Sequence, residues 1–310
     1  MKKLLLLTLF LFTYICSYSQ INLEDSTVQV ISYWDKNEVQ NYKIINKKTK
    51  YNNDVIISSD STINYVEVTV LDSTKNSYTI QWLYRDYKVN NDEISQMLSN
   101  LPGNTKVIYK TNELGVFQEV VNWEEIRDDM NQSIEGLIKE MKEGNKMDDE
   151  NTEKAIKQII ATFSTKEAIE NIVVTDIQQF HSFHGAVYPI GETLEYETQL
   201  PNILGPEPFS ANLYVTLEEI YPDNNSYLIN SQTVVSKDQL LKAMVEYFNK
   251  TAESVGKQLD PALFENMELE NQIVNYSEIH ETGWILYSTL TKIVKSGSST
   301  MVDECSIEIF

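Results

Sequence analysis

Apolar and polar residues alternate along much of the chain, and this period of two is typical of β-strands that bury one face. In the segment 61–80, Val66, Val68 and Val70 alternate in this way, and Asn76-Ser77 follows where a hairpin is expected to turn. The segment 210–229 repeats the pattern at an offset of 149 residues, with seven identical positions. The sequence therefore predicts a duplicated hairpin.

Two further turn signals occur once in each half of the chain. Asn37 and Gly191 each precede an E-x-x-x-Y pattern, and Asn and Gly are the residues that adopt positive φ most readily. A turn around Gly115 has its counterpart around Gly283, and each turn lies between two apolar runs. We expect the first pair to begin strands and the second pair to connect them.

Apolar residues at steps of three and four predict helices between the strands. A short helix is expected at 92–100 and a longer one at 237–259, each inserted after a hairpin. Further helices are expected from Trp123 to Met141, around 156–163, and after a capping box at 164–167. The stripe of the helix at 237–259 consists of Leu240, Leu241, Met244, Val245 and Phe248.

These elements predict an α+β fold with two related halves of curved antiparallel sheet, each with an inserted helix, joined by a helical segment. We place the first β-rich repeat at 20–122, the helical connector at 123–189 and the second repeat at 190–310. Pro201, Pro206 and Pro208 predict an irregular loop early in the second repeat, because proline disrupts strand pairing.

The first nineteen residues have the features of a cleaved signal peptide. Lys2 and Lys3 precede an apolar run over 4–12, and Ser17 and Ser19 lie at the two small-residue positions before Gln20. The apolar stretch is shorter than the ~20 residues that cross a bilayer. We therefore expect export to the periplasm, the extracellular space or the outer membrane, with no transmembrane span after signal removal. Lipid attachment at Cys16 is the alternative, but Thr13-Tyr14-Ile15 before it lacks the small residue that usually precedes a lipidated cysteine.

Composition and charge narrow the possible partners. The 310 residues are 42% hydrophobic and carry a net charge of −21 with 25 basic residues, of which only Arg85 and Arg127 are arginines. Such an excess of acid repels nucleic-acid phosphates and anionic membrane surfaces, so no nucleic-acid partner is expected. The apolar content indicates a packed globular core rather than a disordered acidic chain.

The sequence has none of the common motifs for phosphate binding, dinucleotide binding or nucleophilic catalysis, so we predict no catalytic residue and no cofactor. His181 and His184, with Asp176 as a third donor, have the only metal-like spacing, and the alternative is a helix end with two exposed imidazoles. His280 beside Glu278 is either a general base or a surface pair on a strand.

One cysteine remains after signal removal, and the acidic clusters lack the order of a calcium loop. Cys305 alternates with Ile307, so a buried apolar role is expected rather than a catalytic thiol. The clusters are expected to be solvated surface, with adventitious Ca²⁺ as the alternative. They comprise Glu195 with Glu197, Glu218-Glu219 and Asp148-Asp149-Glu150.

Three copies of Asp-Ser-Thr resemble a short acceptor for O-glycosylation that is used in the envelopes of some Gram-negative bacteria. The hydroxyls concerned are those of Ser26, Ser61 and Ser73. The alternative is turn chemistry, because Asp and Ser hydrogen-bond to their own backbone in loops.

The signal ending before Gln20, the duplicated strand unit and the Pro189-Ile190-Gly191-Glu192-Thr193 entry into the second half resemble an uncharacterised family of exported bacterial envelope proteins. The architecture is also similar to periplasmic lipoprotein carriers, whose half-open barrels hold acyl chains. That likeness implies a cavity, and the alternative for its lining is a closed core. The implied lining residues are Trp82, Tyr84, Leu241, Met244, Val245, Phe248 and Leu286.

Three functions follow as alternatives. We expect foremost a non-enzymatic exported envelope protein that acts as a binding or interaction module for an envelope component. The second is a periplasmic carrier of an apolar or lipid ligand, which requires a cavity of hundreds of cubic ångströms between sheet and helices. The third is an enzyme of unidentified class, which requires a cleft where a histidine meets two carboxylates.

Overall fold

A computed structural model describes residues 20–89, 106–143, 164–254 and 267–310. Several predicted features lie outside these residues. They are the signal peptide at 1–19, the short helix at 92–100, the helix around 156–163 and the acidic cluster at 148–150.

Fourteen strands and four helices are assigned within the described residues. The strands are β1 (Ile21–Asn22), β2 (Thr27–Gln29), β3 (Val39–Asn52), β4 (Val55–Thr74), β5 (Ser77–Val89), β6 (Lys106–Asn112), β7 (Phe117–Val120), β8 (Val187–Pro189), β9 (Thr193–Leu200), β10 (Phe209–Tyr221), β11 (Ser226–Val235), β12 (Leu269–His280), β13 (Ile285–Ser296) and β14 (Ser299–Ile309). The helices are α1 (Trp123–Glu143), α2 (Lys166–Val173), α3 (Thr175–Phe180) and α4 (Lys237–Ser254).

Eleven of the strands form one antiparallel sheet in the order β7-β6-β5-β4-β3-β14-β13-β12-β11-β10-β9. Strands β3 to β7 and β9 to β14 are two meanders, and β14 joins them by pairing with β3. A small second sheet has the order β1-β2-β8. The prediction of an α+β fold dominated by large, curved antiparallel sheet is confirmed. The division at 20–122, 123–189 and 190–310 stays a prediction.

The two predicted hairpins share their topology, and their turns differ in length. In β4 and β5, Thr74 pairs with Ser77 across two turn residues, whereas in β10 and β11 Tyr221 pairs with Ser226 across four. Each hairpin has an irregularity just before its turn, at Val70 in β4 and at Leu217 in β10. The strands before the two turns, β4 and β10, therefore correspond at an offset of 147 residues, and the strands after them, β5 and β11, at an offset of 149. The predicted alignment used 149 throughout without a gap, and it is wrong for the strands before the turns.

The predicted turn residues all have the expected backbone conformation. Asn37 and Gly191 have φ of 70° and 71° immediately before β3 and β9. Gly115 and Gly283 have φ of 88° and 84° between consecutive strands. Only glycine adopts this conformation without strain, and asparagine tolerates it better than most residues.

The predicted helices that fall within the described residues are also present. α1 begins at Trp123, and α4 begins at Lys237 after β11. Thr165 caps α2 by accepting a hydrogen bond from the Ala168 N–H at 3.2 Å, one residue later than the Ser164 cap of the predicted capping box. The proline-rich loop lies between β9 and β10.

The buried side chains of the strands lie on one face of the large sheet, called here the core face. The residues before β3 and those of α2, α3 and β8 pack against this face. Phe180 at the end of α3 is at the centre, with its ring 5.4 Å from that of Tyr42, 5.5 Å from that of Trp82 and 6.2 Å from that of Trp284. The segment predicted as a connector thus supplies much of the core.

Candidate functional site

The packed core covers only part of the core face, and the rest of that face borders two pockets. Ile44 and Ile307 are directly opposite each other and fully buried. Two residues further along each strand, Asn46 faces Cys305, and then Lys48 faces Asp303. Because side chains alternate along a strand, these polar residues continue the same face beyond the core.

The first pocket lies between α4, the loop after β9 and the ends of β12 and β13, and has a volume of about 230 Å³. α4 contributes Leu240, Met244 and Phe248 to the lining. The side chains of Leu240 and Met244 are buried. The remaining apolar lining is Pro201, Ile203, Leu204, Phe209, Leu269 and Val294. Polar lining is confined to five side chains, those of Glu270, Asn271, Lys292, Lys295 and Ser296.

The second pocket lies beside the first on the core face and has a volume of about 370 Å³. Its lining is more polar and holds three lysines and three carboxylates, Lys47, Lys48, Lys292, Asp60, Asp303 and Glu304. Lys292 lines both pockets, so the two are adjacent. The polar pocket by itself falls within the range of about 300–1,000 Å³ that is common for small-molecule sites, and the apolar pocket lies below it.

Lys292 differs from its cationic neighbours in the absence of a carboxylate partner. Lys48 pairs with Asp303 at 3.7 Å, and Lys295 pairs closely with Glu268. Among the described residues, no carboxylate lies within 4.0 Å of the Lys292 ammonium. An ammonium group at the junction of an apolar and a polar pocket suits the anionic head of an amphiphile.

The implied ligand-lining residues are spread over several places in the fold. Met244 and Phe248 line the apolar pocket, whereas Leu241 and Val245 on the same helix are partly buried outside it. Trp82 is fully buried in the closed core. Tyr84 contacts Asp176, and Leu286 is the additional residue of a bulge in β13.

Sequence reasoning missed the part of the apolar pocket that comes from outside α4. Ile203 and Leu204 lie in the proline-rich loop, and Leu269 begins β12. Two adjacent apolar residues in a loop rich in proline were the available signal, because loop residues are usually polar.

Asp176 is half-buried beside the polar pocket rather than beside a histidine. The Tyr84 hydroxyl donates to Asp176 Oδ2 at 3.0 Å, and Cys305 Sγ is 3.8 Å from Asp176 Oδ1. Burial raises the pKa of the Asp176 carboxyl, although these two hydrogen bonds act against the rise. Burial also raises the pKa of the Cys305 thiol, which disfavours a reactive thiolate.

The imidazoles of His181 and His184 are buried in the core, which corrects the expectation of an exposed pair. His181 Nε2 is 2.9 Å from the Tyr109 hydroxyl, and His184 Nε2 donates to the Gly283 carbonyl at 3.0 Å. Burial lowers the pKa of both, that of His184 to about 4. Asp176 does not join them, and no group of three or more metal-ligating side chains is found in the described part of the chain.

His280 does not form the predicted pair with Glu278. Its Nδ1 accepts a hydrogen bond from the Thr282 backbone N–H at 3.2 Å, so it caps the turn at Gly283. Asn112 has the same role in the first half, where its side chain accepts from the backbone N–H of Leu114. Glu278 instead accepts a hydrogen bond from Ser226 at 2.8 Å.

The three serines of the Asp-Ser-Thr copies lie in different surroundings. Ser26 is exposed in the turn between β1 and β2. Ser61 and Ser73 lie within β4 rather than in loops, and the Ser73 hydroxyl donates to the Trp34 carbonyl at 3.2 Å. Glycosylation of these residues stays a prediction.

No family model and no curated protein matches the chain. A structure of lipovitellin that describes lipid–protein interactions aligns with 89% of this chain and 25% of its own, with a TM-score of 0.42 and 10% identity. DynF from the dynemicin biosynthesis pathway of Micromonospora chersina aligns with 91% of this chain and 84% of its own, with a TM-score of 0.20 and 6% identity. The chain thus spans about a quarter of the lipovitellin chain. At such TM-scores neither likeness supports a functional inference.

Within the described residues, no helix is both long enough and apolar enough to cross a membrane.

Proposed function

We propose that this protein is an exported, non-enzymatic carrier of an amphiphilic ligand with an apolar chain. The observation that supports the proposal is the apolar pocket of about 230 Å³ between α4 and the sheet. A cavity between the helix and the sheet is expected of a carrier and not of an envelope module with a closed core, because a close-packed interior leaves no space of that size.

The arrangement of polar groups supports a ligand with one charged end. The apolar chain would lie against Leu240 and Met244, which are buried on the pocket side of α4. The anionic head would lie near Lys292, where the lining becomes polar. Such a ligand satisfies the ammonium group without exposing its chain to water.

Thermal unfolding with lauric acid and dodecanol tests the proposal. Both have the same chain length, and each is expected to raise the unfolding midpoint in proportion to ln(1 + [L]/Kd). Lys292→Ala should weaken the effect of lauric acid by ~10-fold in apparent Kd, the size expected for losing a charged contact of ~1.4 kcal/mol, and should leave dodecanol unaffected.

A pocket-filling variant provides the second arm. Met244→Trp places a larger side chain in the apolar pocket and should abolish the shift with both ligands. Tyr247→Trp is the matched control, because Tyr247 is exposed on the same helix and does not line the pocket. The carrier function is overturned if neither ligand shifts the midpoint of the unmodified protein, or if Met244→Trp responds to ligand as Tyr247→Trp does.

Export is tested separately from ligand binding. We expect the protein recovered from the periplasmic or extracellular fraction to begin at Gln20, as determined by mass spectrometry of the intact chain. Recovery from the cytoplasm with residues 1–19 retained would contradict export.

A further inference from the structure

Four charged side chains form a row across the polar pocket. In the register of the large sheet, Asp60 of β4 is opposite Lys48 of β3. Lys48 is opposite Asp303 of β14, and Asp303 is opposite Lys292 of β13. All four residues line the pocket. Because neighbouring strands are ~4.8 Å apart, the row places charges of alternating sign at steps of about that length.

The two other charged residues of the lining are Lys47 and Glu304. They are opposite each other in β3 and β14, and each is next in sequence to a residue of the row, so both are on the other face of the sheet. With three lysines and three carboxylates, the lining has no net formal charge. A head group with charge of one sign only would leave half of these groups unmatched.

Asp303 and Lys292 are opposite each other in the sheet, yet they do not pair. No carboxylate of the described residues lies within 4.0 Å of the Lys292 ammonium. Asp303 Oδ2 is 3.7 Å from Lys48 Nζ, which is longer than a charge-assisted hydrogen bond of ~2.7–2.9 Å. Asp303 Oδ1 is buried and has no hydrogen-bond partner among the described residues. The row therefore contains one cation and one anion that are available to a ligand.

A ligand that carries an ammonium group would satisfy the Asp303 carboxylate. A carboxylate oxygen that loses hydration without gaining a hydrogen bond destabilises the folded protein. The terminal torsion of an aspartate side chain is broad, so a rotation of the carboxylate can turn either oxygen towards a donor in the pocket. An anionic group on the same ligand would then contact Lys292, one strand away.

We propose that the ligand has a zwitterionic head group, with an anion that pairs with Lys292 and a primary ammonium that donates to Asp303. This inference rests on the proposed carrier function and specifies the head group of its ligand. The two charges of the ligand would lie about one strand spacing apart, ~4.8 Å. A phosphate joined to ethanolamine and an acylated basic amino acid both separate an anion from an ammonium by a short carbon chain.

Isothermal titration calorimetry at pH 7 with pairs of ligands that differ in the ammonium group tests the inference. Lauroyl lysophosphatidylethanolamine and lauroyl lysophosphatidylglycerol share a chain and a phosphate, and Nα-lauroyl-lysine and Nα-lauroyl-norleucine share a chain and a carboxylate. All four are used below the concentrations at which they form micelles. In at least one pair the ligand with the ammonium should bind ~10-fold more tightly, the effect of one charge-assisted hydrogen bond. The pair that shows the preference identifies the anion as phosphate or carboxylate.

Variants of the row test which residue recognises each charge. Asp303→Asn should abolish the preference for the ammonium and should not weaken binding of lysophosphatidylglycerol, because it removes only the anion that the ammonium contacts. Glu308→Gln is the matched control, since it removes one carboxylate from the same strand outside the pocket lining, and it should keep the preference. Lys292→Ala should weaken binding of both ligands in a pair, because both carry the anion.

The inference is overturned if the unmodified protein binds the two members of each pair equally, or if Asp303→Asn keeps the preference as Glu308→Gln does. In either case the charges of the row serve the sheet alone. The comparison within a pair uses the unmodified protein, so it decides the question even if a variant does not fold. Binding of lauric acid and dodecanol without a preference for the ammonium would overturn this inference alone. Absence of binding by every amphiphile would overturn the proposed function as well.

Discussion

Two of the three histidines are buried side by side in the core, and their protonation links stability to pH. Burial lowers the pKa of His184 to about 4, below the ~6.5 of an unfolded histidine. Between these values the unfolded state binds more protons than the folded state. The free energy of unfolding should therefore fall as the pH decreases through this window, by up to ~3 kcal/mol from His184.

Urea unfolding between pH 7 and pH 4 measures this dependence. His184→Gln should flatten the decrease, because glutamine does not titrate and can still donate to the Gly283 carbonyl. His280→Asn is the control, since Asn112 performs the same turn-capping role in the first half. A His184→Gln protein with the same pH dependence as His280→Asn would contradict a neutral buried His184.

At the scale of elements, the paired turns at Gly115 and Gly283 hold the ends of both meanders against one segment of chain. A Cβ on Gly283 would lie 2.5 Å from the Ile31 carbonyl oxygen, and one on Gly115 would lie 2.1 Å from Ser32 Oγ. A Cβ on Gly115 would also lie 2.6 Å from Cδ2 of the buried His184 ring, and the backbone at Ile31 cannot move without shifting its neighbours. Neither turn therefore has room for a side chain.

Gly283→Ala combines this clash with an unfavourable φ of 84° and should destabilise the protein by more than ~2 kcal/mol. Gly191→Ala isolates the backbone contribution, since Gly191 has φ of 71° and a Cβ added there would meet no atom within 4 Å, and should cost about 1–2 kcal/mol. Chemical denaturation of both variants measures the difference. Equal losses would mean that contact with Ile31 contributes nothing.

Strands and turns were predictable from the sequence where they depend on residues that are close together in the chain. Asn37, Gly115 and Gly191 were recognised because turn chemistry acts over a few residues. The two additional residues in the second hairpin turn were missed, since a gapless match of seven positions hid the change from 149 to 147. Local sequence signals thus predicted the individual strands and turns more accurately than they predicted the alignment of one half of the chain with the other.

At the scale of the whole molecule, the sequence did not indicate how the halves would meet. The pairing of β14 with β3 joins residues that are far apart in the chain, and no periodicity predicts such a partner. The burial of His181 likewise depends on Tyr109 and Trp34, which come from other elements. The apolar pocket was foreseen only through Met244 and Phe248, because its other walls are supplied by a loop and by two strand ends.

The shared core predicts that both meanders unfold together. Phe180 contacts Tyr42 and Trp82 of the first meander and Trp284, which follows the β12–β13 turn of the second. Removing its ring should weaken both meanders at once, by ~3–5 kcal/mol for Phe180→Ala. Phe248→Ala is the matched control with a smaller expected loss, because Phe248 is 39% exposed at the edge of the apolar pocket.

Calorimetry and hydrogen exchange measure the coupling between the meanders. We expect one unfolding transition, and Phe180→Ala should accelerate amide exchange in β5 and β11 by a similar factor. If the halves were independent domains, calorimetry would show two transitions, and the variant would accelerate exchange in only one of the two strands. A single transition with matched exchange follows from a continuous sheet whose two meanders share one core.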